Sequence, residues 1–439
     1  MYRKISEVMT RWQTDSVQEP LMIIGVRQTG KTWQIRQFAE KTYEDSFYVN
    51  LEEQPSFQSA FEGDLTPKGI LRNLSILAGR VITEKTALII DEIQVCERAI
   101  TSLKYFCEAN ENYRIIAAGS LLGVKINRFT SSFPVGKVRL VYMFPLTFEE
   151  FLMACGERLL IDAIRESCKT CVPLPGGIHE KALQLCYDYM IVGGMPRAVL
   201  NYIEHDRMIA AFDREIHKQL QLMYLADMTK YVSSSYETTK IMQVYESIPR
   251  QLAKENPKFK YSTVRANANR RDFYAPIDWL KAAGMVIQVR NVDIPVKPLA
   301  GYEQENIFKL YLSDVGILSS AAGFDPRDIL PETDSLFKGA VAENYVVQEF
   351  KAVRERLYYY KPSESLEIDL LDENGGSVIP MEIKAGRHKR SRSLAQYIEQ
   401  HKPQTAIRFS AMNFGYANGI QSVPLYAVFC IAENGIGQI

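Results

Sequence analysis

Apolar residues along the chain follow two periods. Short runs recur through the first third: Leu21-Met22-Ile23-Ile24, Phe47-Tyr48-Val49-Asn50-Leu51, Ala87-Leu88-Ile89-Ile90, Arg114-Ile115-Ile116-Ala117-Ala118 and Val138-Arg139-Leu140-Val141-Tyr142. Runs of this kind predict short strands, several of them buried on both faces. Between them the apolar positions fall three and four apart, which predicts helices over 33–40 and 71–77 and through Leu103 and Phe106. Residues 1 to about 20 carry Ile5, Val8, Met9 and Trp12 on one helical face. Alternating strands and helices predict an α/β fold with a parallel, three-layer sheet. Ligands of such sheets sit at the carboxyl ends of the strands, where Gly25, Asp91 and Ser120 fall.

The pattern changes at Phe144. Thr147 and Glu150 fit a capping box, so a helix starts there. Residues 150 to about 230 are helical in period, interrupted by the turn Ile191-Val192-Gly193-Gly194-Met195-Pro196-Arg197. Residues 235–300 read as a winged helix: a helix over Ile241–Leu252, a turn and helix from Tyr261, a helix over Pro276–Ala283, and a strand from Met285 leading to a wing. Arg265, Asn267, Asn269, Arg270 and Arg271 cluster there. Such side chains suit base edges and phosphates, and a polar helix is as readily a solvated face. Further on, a helix over Phe337–Arg356 precedes strands at Leu357–Tyr360, Glu367–Leu371 and Val378–Lys384. A turn at Asp372–Gly376 joins the last two, and a helix with Tyr397 and a strand over Thr405–Ser410 follow.

Two stretches carry phosphate chemistry. Gly25-Val26-Arg27-Gln28-Thr29-Gly30-Lys31-Thr32 follows a strand, opens a helix and fits G-x-x-x-x-G-K-[ST]. Its glycines permit close approach, its amides form a nest for phosphate oxygens, and the helix start adds a positive dipole end. Lys31 is expected to reach the β/γ-phosphates and Thr32 to ligate Mg²⁺. The second stretch, Ala87-Leu88-Ile89-Ile90, ends in Asp91-Glu92, with Asp91 expected to hold Mg²⁺ and Glu92 to polarise the attacking water. These residues together predict nucleotide binding. Ser120 is a candidate sensor of the γ-phosphate, or an ordinary loop serine.

The C-terminal strands carry a second set. Glu382 and Lys384 are two apart on a strand and share a face, and hairpin pairing can bring Asp369 beside them. Carboxylates in this order can bind Mg²⁺, and a lysine can orient or deprotonate a water that attacks a phosphodiester. Alternating charge on a half-exposed strand also gives this pattern without chemistry. The run Arg387-His388-Lys389-Arg390-Ser391-Arg392 follows, suited to a nucleic-acid backbone or to a solvated helix start.

Composition narrows the field. At 439 residues the chain is long enough for two or three domains. Lys+Arg and Asp+Glu both number 52, so support for nucleic-acid binding must be local. Seven cysteines without framework spacing fit a reducing cytoplasm. Cys168 and Cys171 form a lone C-x-x-C without the second pair that zinc needs, so free thiols are expected. No signal-peptide core and no run of about 18 apolar residues is present, so neither a leader nor a membrane span is expected.

Taken together, Gly25–Thr32, Leu88–Gln94, Ala118–Leu122, Pro145–Phe151, Gly193–Arg197, Ser313–Leu318 and Gly339–Phe350 resemble a large prokaryotic family of AAA-type ATPases with a C-terminal domain of unknown function. The resemblance implies an ATP-binding protein and, by analogy with such ATPases, self-association. Gly194-Met195-Pro196 is also similar to the G-x-P turn of signal-transduction ATPases, which would put Pro196 near adenine; a Gly-Gly-x-Pro turn equally needs no ligand. The family often has an arginine before its fifth strand. Here Lys137, Arg139 and Arg128 are candidates for that trans-acting role. Asp369, Glu382 and Lys384 resemble the PD-(D/E)xK restriction-endonuclease-like fold, and Glu343 matches its helical carboxylate. That resemblance implies Glu343, Asp369 and Glu382 as metal ligands, and DNA as a partner. The expected organisation is an ATPase domain over 1–150, a helical lid over 151–235, a winged-helix-like segment over 236–330 and a nuclease-like domain over 331–439.

Overall fold

The structure is a computed structural model. It describes every residue except 16–18, 110, 121–133, 135, 233, 255–256, 330–336, 375, 388–391 and 435–439. The chain divides into two compact units, Met1–Phe144 with Ala282–Gly284, and Pro145–Lys281 with Met285–Ile439.

The first unit is a sheet of five parallel strands in the order β2-β3-β4-β1-β5. They are β1 (Leu21–Gly25), β2 (Ser46–Asn50), β3 (Ala87–Asp91), β4 (Ile115–Ser120) and β5 (Arg139–Met143). Every residue of β1, β3 and β4 is buried, which is why these runs are apolar throughout rather than alternating. Helices α1 (Ile5–Thr14), α2 (Lys31–Thr42), α3 (Pro67–Ala78) and α4 (Glu97–Glu108) accompany the sheet. Ile5, Met9, Trp12, Ile35 and Phe38 pack with Leu21 and Ile23 in one apolar cluster. Ile70, Leu74, Leu103 and Phe106 pack with Met22, Ile24 and Ile90 in the other. Side chains of β1 alternate between the two clusters, as the period of a strand requires.

The second unit opens with α5 (Phe148–Ala154), whose capping box joins Thr147 and Glu150 as the spacing predicts. Next come α6 (Arg158–Thr170), α7 (Gly176–Val192), α8 (Pro196–Glu204), α9 (Glu215–Tyr231), α10 (Ser235–Leu252), α11 (Tyr261–Val264) and α12 (Arg270–Ala282). Pro276, expected to start a helix, lies inside α12 instead. Phe273, Ile277 and Leu280 bury one face of α12, and that packing outweighs the hydrogen bond that proline removes.

An eight-stranded sheet follows, in the order β12-β13-β11-β10-β9-β8-β6-β7. Its strands are β6 (Val286–Val292), β7 (Glu303–Leu312), β8 (Leu357–Ser363), β9 (Leu366–Asn374), β10 (Ser377–Ile383), β11 (Ala406–Ser410), β12 (Gly415–Ala417) and β13 (Ile420–Pro424). Strand β6, expected to lead to the wing of the middle segment, forms a hairpin with β7 that continues this sheet: β6 pairs in parallel with β8, Val289 opposite Leu357. Helices α13 (Val315–Ala321), α14 (Phe337–Lys351), α15 (Arg392–His401) and α16 (Val428–Asn434) complete the unit. Among the described residues no helix is long and apolar enough to cross a membrane.

Candidate functional site

The loop after β1 is built from backbone constraints that its sequence meets. A Cβ on Gly25 would lie 2.2 Å from the Met143 carbonyl oxygen, so the approach of β5 alone demands glycine there. Gly30 takes φ +88° at the start of α2, a region that disfavours side chains. Gln28 also has positive φ, at 64°. Thr29 Oγ1 donates to the Val26 carbonyl at 2.9 Å, and Arg3 donates to the Thr29 carbonyl at 2.8 Å and to the Phe144 carbonyl at 2.6 Å. Lys31 is buried, and its Nζ donates to the carbonyls of Gly25 and Val26 at 3.1 and 2.8 Å. Arg27 faces Glu52 at 3.8 Å.

The strand order places the ends of β1, β4 and β3 side by side. Thr32 Oγ1 donates to Asp91 Oδ2 at 2.6 Å, joining the loop to the acidic pair. Tyr48 on β2 donates to the same oxygen at 3.0 Å, and the Glu92 amide donates to Oδ1 at 2.9 Å. Burial, and then the negative charge of Asp91, push the Tyr48 phenol well above its ordinary range. Glu92 has φ 50°, left-handed for a residue with a side chain, and Gln94 Nε2 donates to its carboxylate. The other end of Gln94 accepts from the Ser120 amide at 3.2 Å. A chain of contacts thus runs from Glu92 through Gln94 to the end of β4. Asp91, Glu92, Ser120, Thr32 and Lys31 lie together at these strand ends. Tyr48 and Gln94 were not singled out in the sequence; Tyr48 gives no local signal, because its proximity depends on β2 pairing with β3.

The remaining residues linked to nucleotide chemistry stand as follows. Lys137 pairs with Glu108 at 3.2 Å and Arg139 pairs with Asp15, while Arg128 lies outside the described residues. Pro196 is the first residue of α8. The turn before it locks onto the segment Ser313–Leu318. The Asp314 carboxylate accepts from the Gly194 amide at 2.7 Å and the Ile317 amide at 3.0 Å. A Cβ would lie 2.2 Å from Asp314 Oδ1 at Gly193, 2.1 Å from the Leu146 carbonyl at Gly194 and 2.5 Å from the Val192 carbonyl at Gly316. These three glycines are therefore explained by packing.

The C-terminal carboxylates sit near one another but engage other groups. Asp369 on β9 accepts from the Ile383 amide at 2.8 Å, and Lys384 Nζ lies 2.7 Å from Glu382 Oε1. Glu382 is buried, and its second oxygen has no hydrogen-bond partner among the described residues. Tyr311 donates to Glu343 at 2.9 Å. Lys309 on β7, which the sequence did not flag, is 1% exposed. Its Nζ lies 2.6 Å from Glu367 Oε1 and 3.6 Å from Glu343 Oε2, and 5.0 Å from the centre of the Tyr359 ring. The contact to Glu367 is a charge contact outside hydrogen-bond geometry. Lys361 donates to the other Glu367 oxygen at 2.7 Å. Low hydration, followed by the charge of Glu343, pushes the Asp369 carboxyl up to about 8, although it keeps partial solvent access. Among the described residues no three His, Cys, Asp or Glu side chains are arranged to hold a metal ion. Tyr397 is buried in the core with Tyr360.

Of the basic residues, Arg387 pairs with Glu180 at 2.5 Å, and 388–391 lie outside the described residues. Arg270 pairs with Glu305 at 3.1 Å and lies over Tyr274, Arg265 lies over Phe273, and Arg271 is exposed. All seven cysteines are free thiols.

Comparison with known families matches residues 17–152 to an AAA domain. Residues 183–328 match a domain of unknown function (DUF8612), and residues 338–428 match another (DUF4143). The first segment is thus an AAA-type P-loop domain. No curated protein matches. Among solved structures the chain is similar to the Walker-type ATPase paby2304 of Pyrococcus abyssi, at 15% identity and TM-score 0.43, over 72% of this chain and 94% of that one. It is also similar to the Aeropyrum pernix Orc1 protein, solved in complex with DNA, at 16% identity and TM-score 0.28, over 74% of this chain and 91% of that one.

Proposed function

We propose that the N-terminal domain binds ATP with Mg²⁺ and hydrolyses it, and that its nucleotide state governs what the rest of the chain binds. The observation that carries this reading is the 2.6 Å hydrogen bond from Thr32 to Asp91. It sets a hydroxyl and a carboxylate together at the start of α2, beside a loop of backbone amides. Hard oxygen donors in that place fit Mg²⁺. Thr32 and Asp91 would hold the ion, whose charge offsets that of the phosphates. The loop amides and Lys31 bind the phosphate oxygens, Lys31 leaving its two carbonyl contacts to do so. Glu92 orients the attacking water and accepts its proton. Through Gln94 it is tied to Ser120, so a γ-phosphate read by Ser120 bears directly on the aim of Glu92. Lys137 and Arg139 are already paired, so a cation for the developing charge is expected from a neighbouring copy. The test is phosphate release with and without Mg²⁺, across a range of protein concentrations. Activity indifferent to Lys31→Ala would overturn the reading.

A second reading is that the C-terminal part engages DNA as the element under nucleotide control. The basic run 387–392 in the sequence favours it, because such charges attract a phosphate backbone. The measurement is DNA affinity against salt concentration, with and without ATP. An affinity flat in salt would exclude it and leave a protein partner.

A further inference from the structure

We infer that Lys309 is a resident cation of the C-terminal acidic cluster, holding the place a divalent metal would need and closing the cluster to metal-dependent phosphodiester cleavage. This inference is independent of ATP hydrolysis in the other unit.

The expected ligands Glu343, Asp369 and Glu382 do not make a metal site while Lys309 stands among them. Glu343 receives the Tyr311 hydroxyl at 2.9 Å and lies 3.6 Å from the Lys309 ammonium. A cation bound to Glu343 would therefore meet another positive charge at close range. Asp369 accepts from the Ile383 amide through one oxygen and Glu382 meets Lys384 through one oxygen, contacts that do not themselves bar a cation. A divalent ion needs several oxygens converging on one point, and among the described residues no such trio of acids exists.

Lys309 has no easy exit. Its neighbours Phe308, Leu310, Tyr311 and Leu312 are all buried, so the strand fixes it inside. The ammonium does for this cluster what a metal does elsewhere: it compensates carboxylates withdrawn from water. The strands, helix and acids of a nuclease-like core are kept, with the positive charge supplied by the chain itself. Contact with nucleic acid by this region is then binding rather than cutting.

The test is titration of Mn²⁺, followed by electron paramagnetic resonance, into the nucleotide-free full chain. All proteins carry Lys31→Ala, so that the loop in the other unit does not contribute. We expect no bound Mn²⁺ that Asp369→Asn removes. Lys309→Met combined with Glu367→Gln deletes one charge of each sign and is expected to create one Mn²⁺ site, tightened at least tenfold and lost again with Asp369→Asn. A parallel assay of the otherwise unaltered chain with Mg²⁺ and single-stranded DNA, duplex DNA or RNA should show no cleavage. An Asp369-dependent Mn²⁺ site in the chain that retains Lys309, or Asp369-dependent cleavage, overturns the inference. So does a cooperatively melting double variant that gains no site. Should the double variant fail to fold, the chain retaining Lys309 decides alone, in either direction.

Discussion

Two buried lysines set the two regions of the molecule apart. Lys31 lies in a glycine loop and donates to the carbonyl oxygens of Gly25 and Val26. Lys309 lies on a strand among Glu343, Glu367 and Asp369. A carbonyl is a neutral acceptor, and a phosphate can replace it at little cost. A carboxylate buried beside an ammonium cannot be exchanged so freely, since each partner stranded alone carries its full desolvation penalty. The acids differ in the same way. Asp91 is satisfied by hydroxyls and an amide, from Thr32, Tyr48 and Glu92. Glu382 and Glu367 are met by lysine ammoniums. Residues of the same types therefore make one site open to a charged ligand and another closed upon itself.

The largest effect expected is on turnover. Glu92→Gln should keep ATP binding and lower hydrolysis by about 10²–10⁴-fold, the range for a lost general base. Lys31→Ala should weaken ATP binding as well and reduce turnover by about 10²–10³-fold, as for one lost charge-stabilising donor. Asp369→Ala should leave both quantities unchanged. A fall in turnover with Asp369→Ala would break the comparison, because the closed cluster would then share in the chemistry. Stability sharpens it next. Lys309→Met leaves the half-buried Glu343 and Glu367 without this buried ammonium and should cost about 3–5 kcal/mol in denaturant unfolding, whereas Lys31→Met should stay within about 1 kcal/mol. Equal losses would show that the two lysines do the same work.

A smaller effect comes from a buried group given no counter-charge. His217 is fully buried, and its Nε2 donates to the Val192 carbonyl at 2.8 Å. Burial, set against that hydrogen bond and joined by the charge of Arg214, pushes its pKa down to about 4. Above pH 6.5 the imidazole is neutral in both folded and unfolded chains, and its contribution is fully present. Below that pH the unfolded chain takes up the proton first, and stability falls until about pH 4. The loss over that window should reach about 3 kcal/mol, from 1.36 kcal/mol per pH unit. His217→Leu should flatten the pH dependence of the unfolding midpoint between 6.5 and 4. An unchanged slope would mean that the proton is taken up elsewhere.

The phosphate loop was legible because its chemistry is contiguous. Eight adjacent residues specify a strand end, a nest and a helix start, and the acidic pair carries its own strand with it. Gln94 was legible only as part of a motif, since its bond to Ser120 depends on β3 lying beside β4. Gly193, Gly194 and Gly316 were visible as a resemblance, and their reason is a non-local interlock through Asp314 and the carbonyls of Leu146 and Val192. Lys309 was hidden because residues 303–312 were assigned to the winged-helix-like segment, apart from the C-terminal strands. A signal did exist: Phe308-Lys309-Leu310-Tyr311-Leu312 is an apolar run with one charge inside it. A lysine there must either reach water or find acids, and sequence alone does not say which.

The pairing of β6 with β8 bears on how the chain can be divided. The two matched segments of unknown function end and begin at 328 and 338, which invites a cut between them. Such a cut would tear one sheet in two. The downstream fragment would present β8 as a raw edge of unpaired amides and carbonyls, open to any passing strand. It would also leave Glu343, Glu367 and Asp369 without Lys309. A gene split at that point is expected to yield insoluble aggregate from the downstream half, while co-synthesis of both halves lets the hairpin reseal the edge.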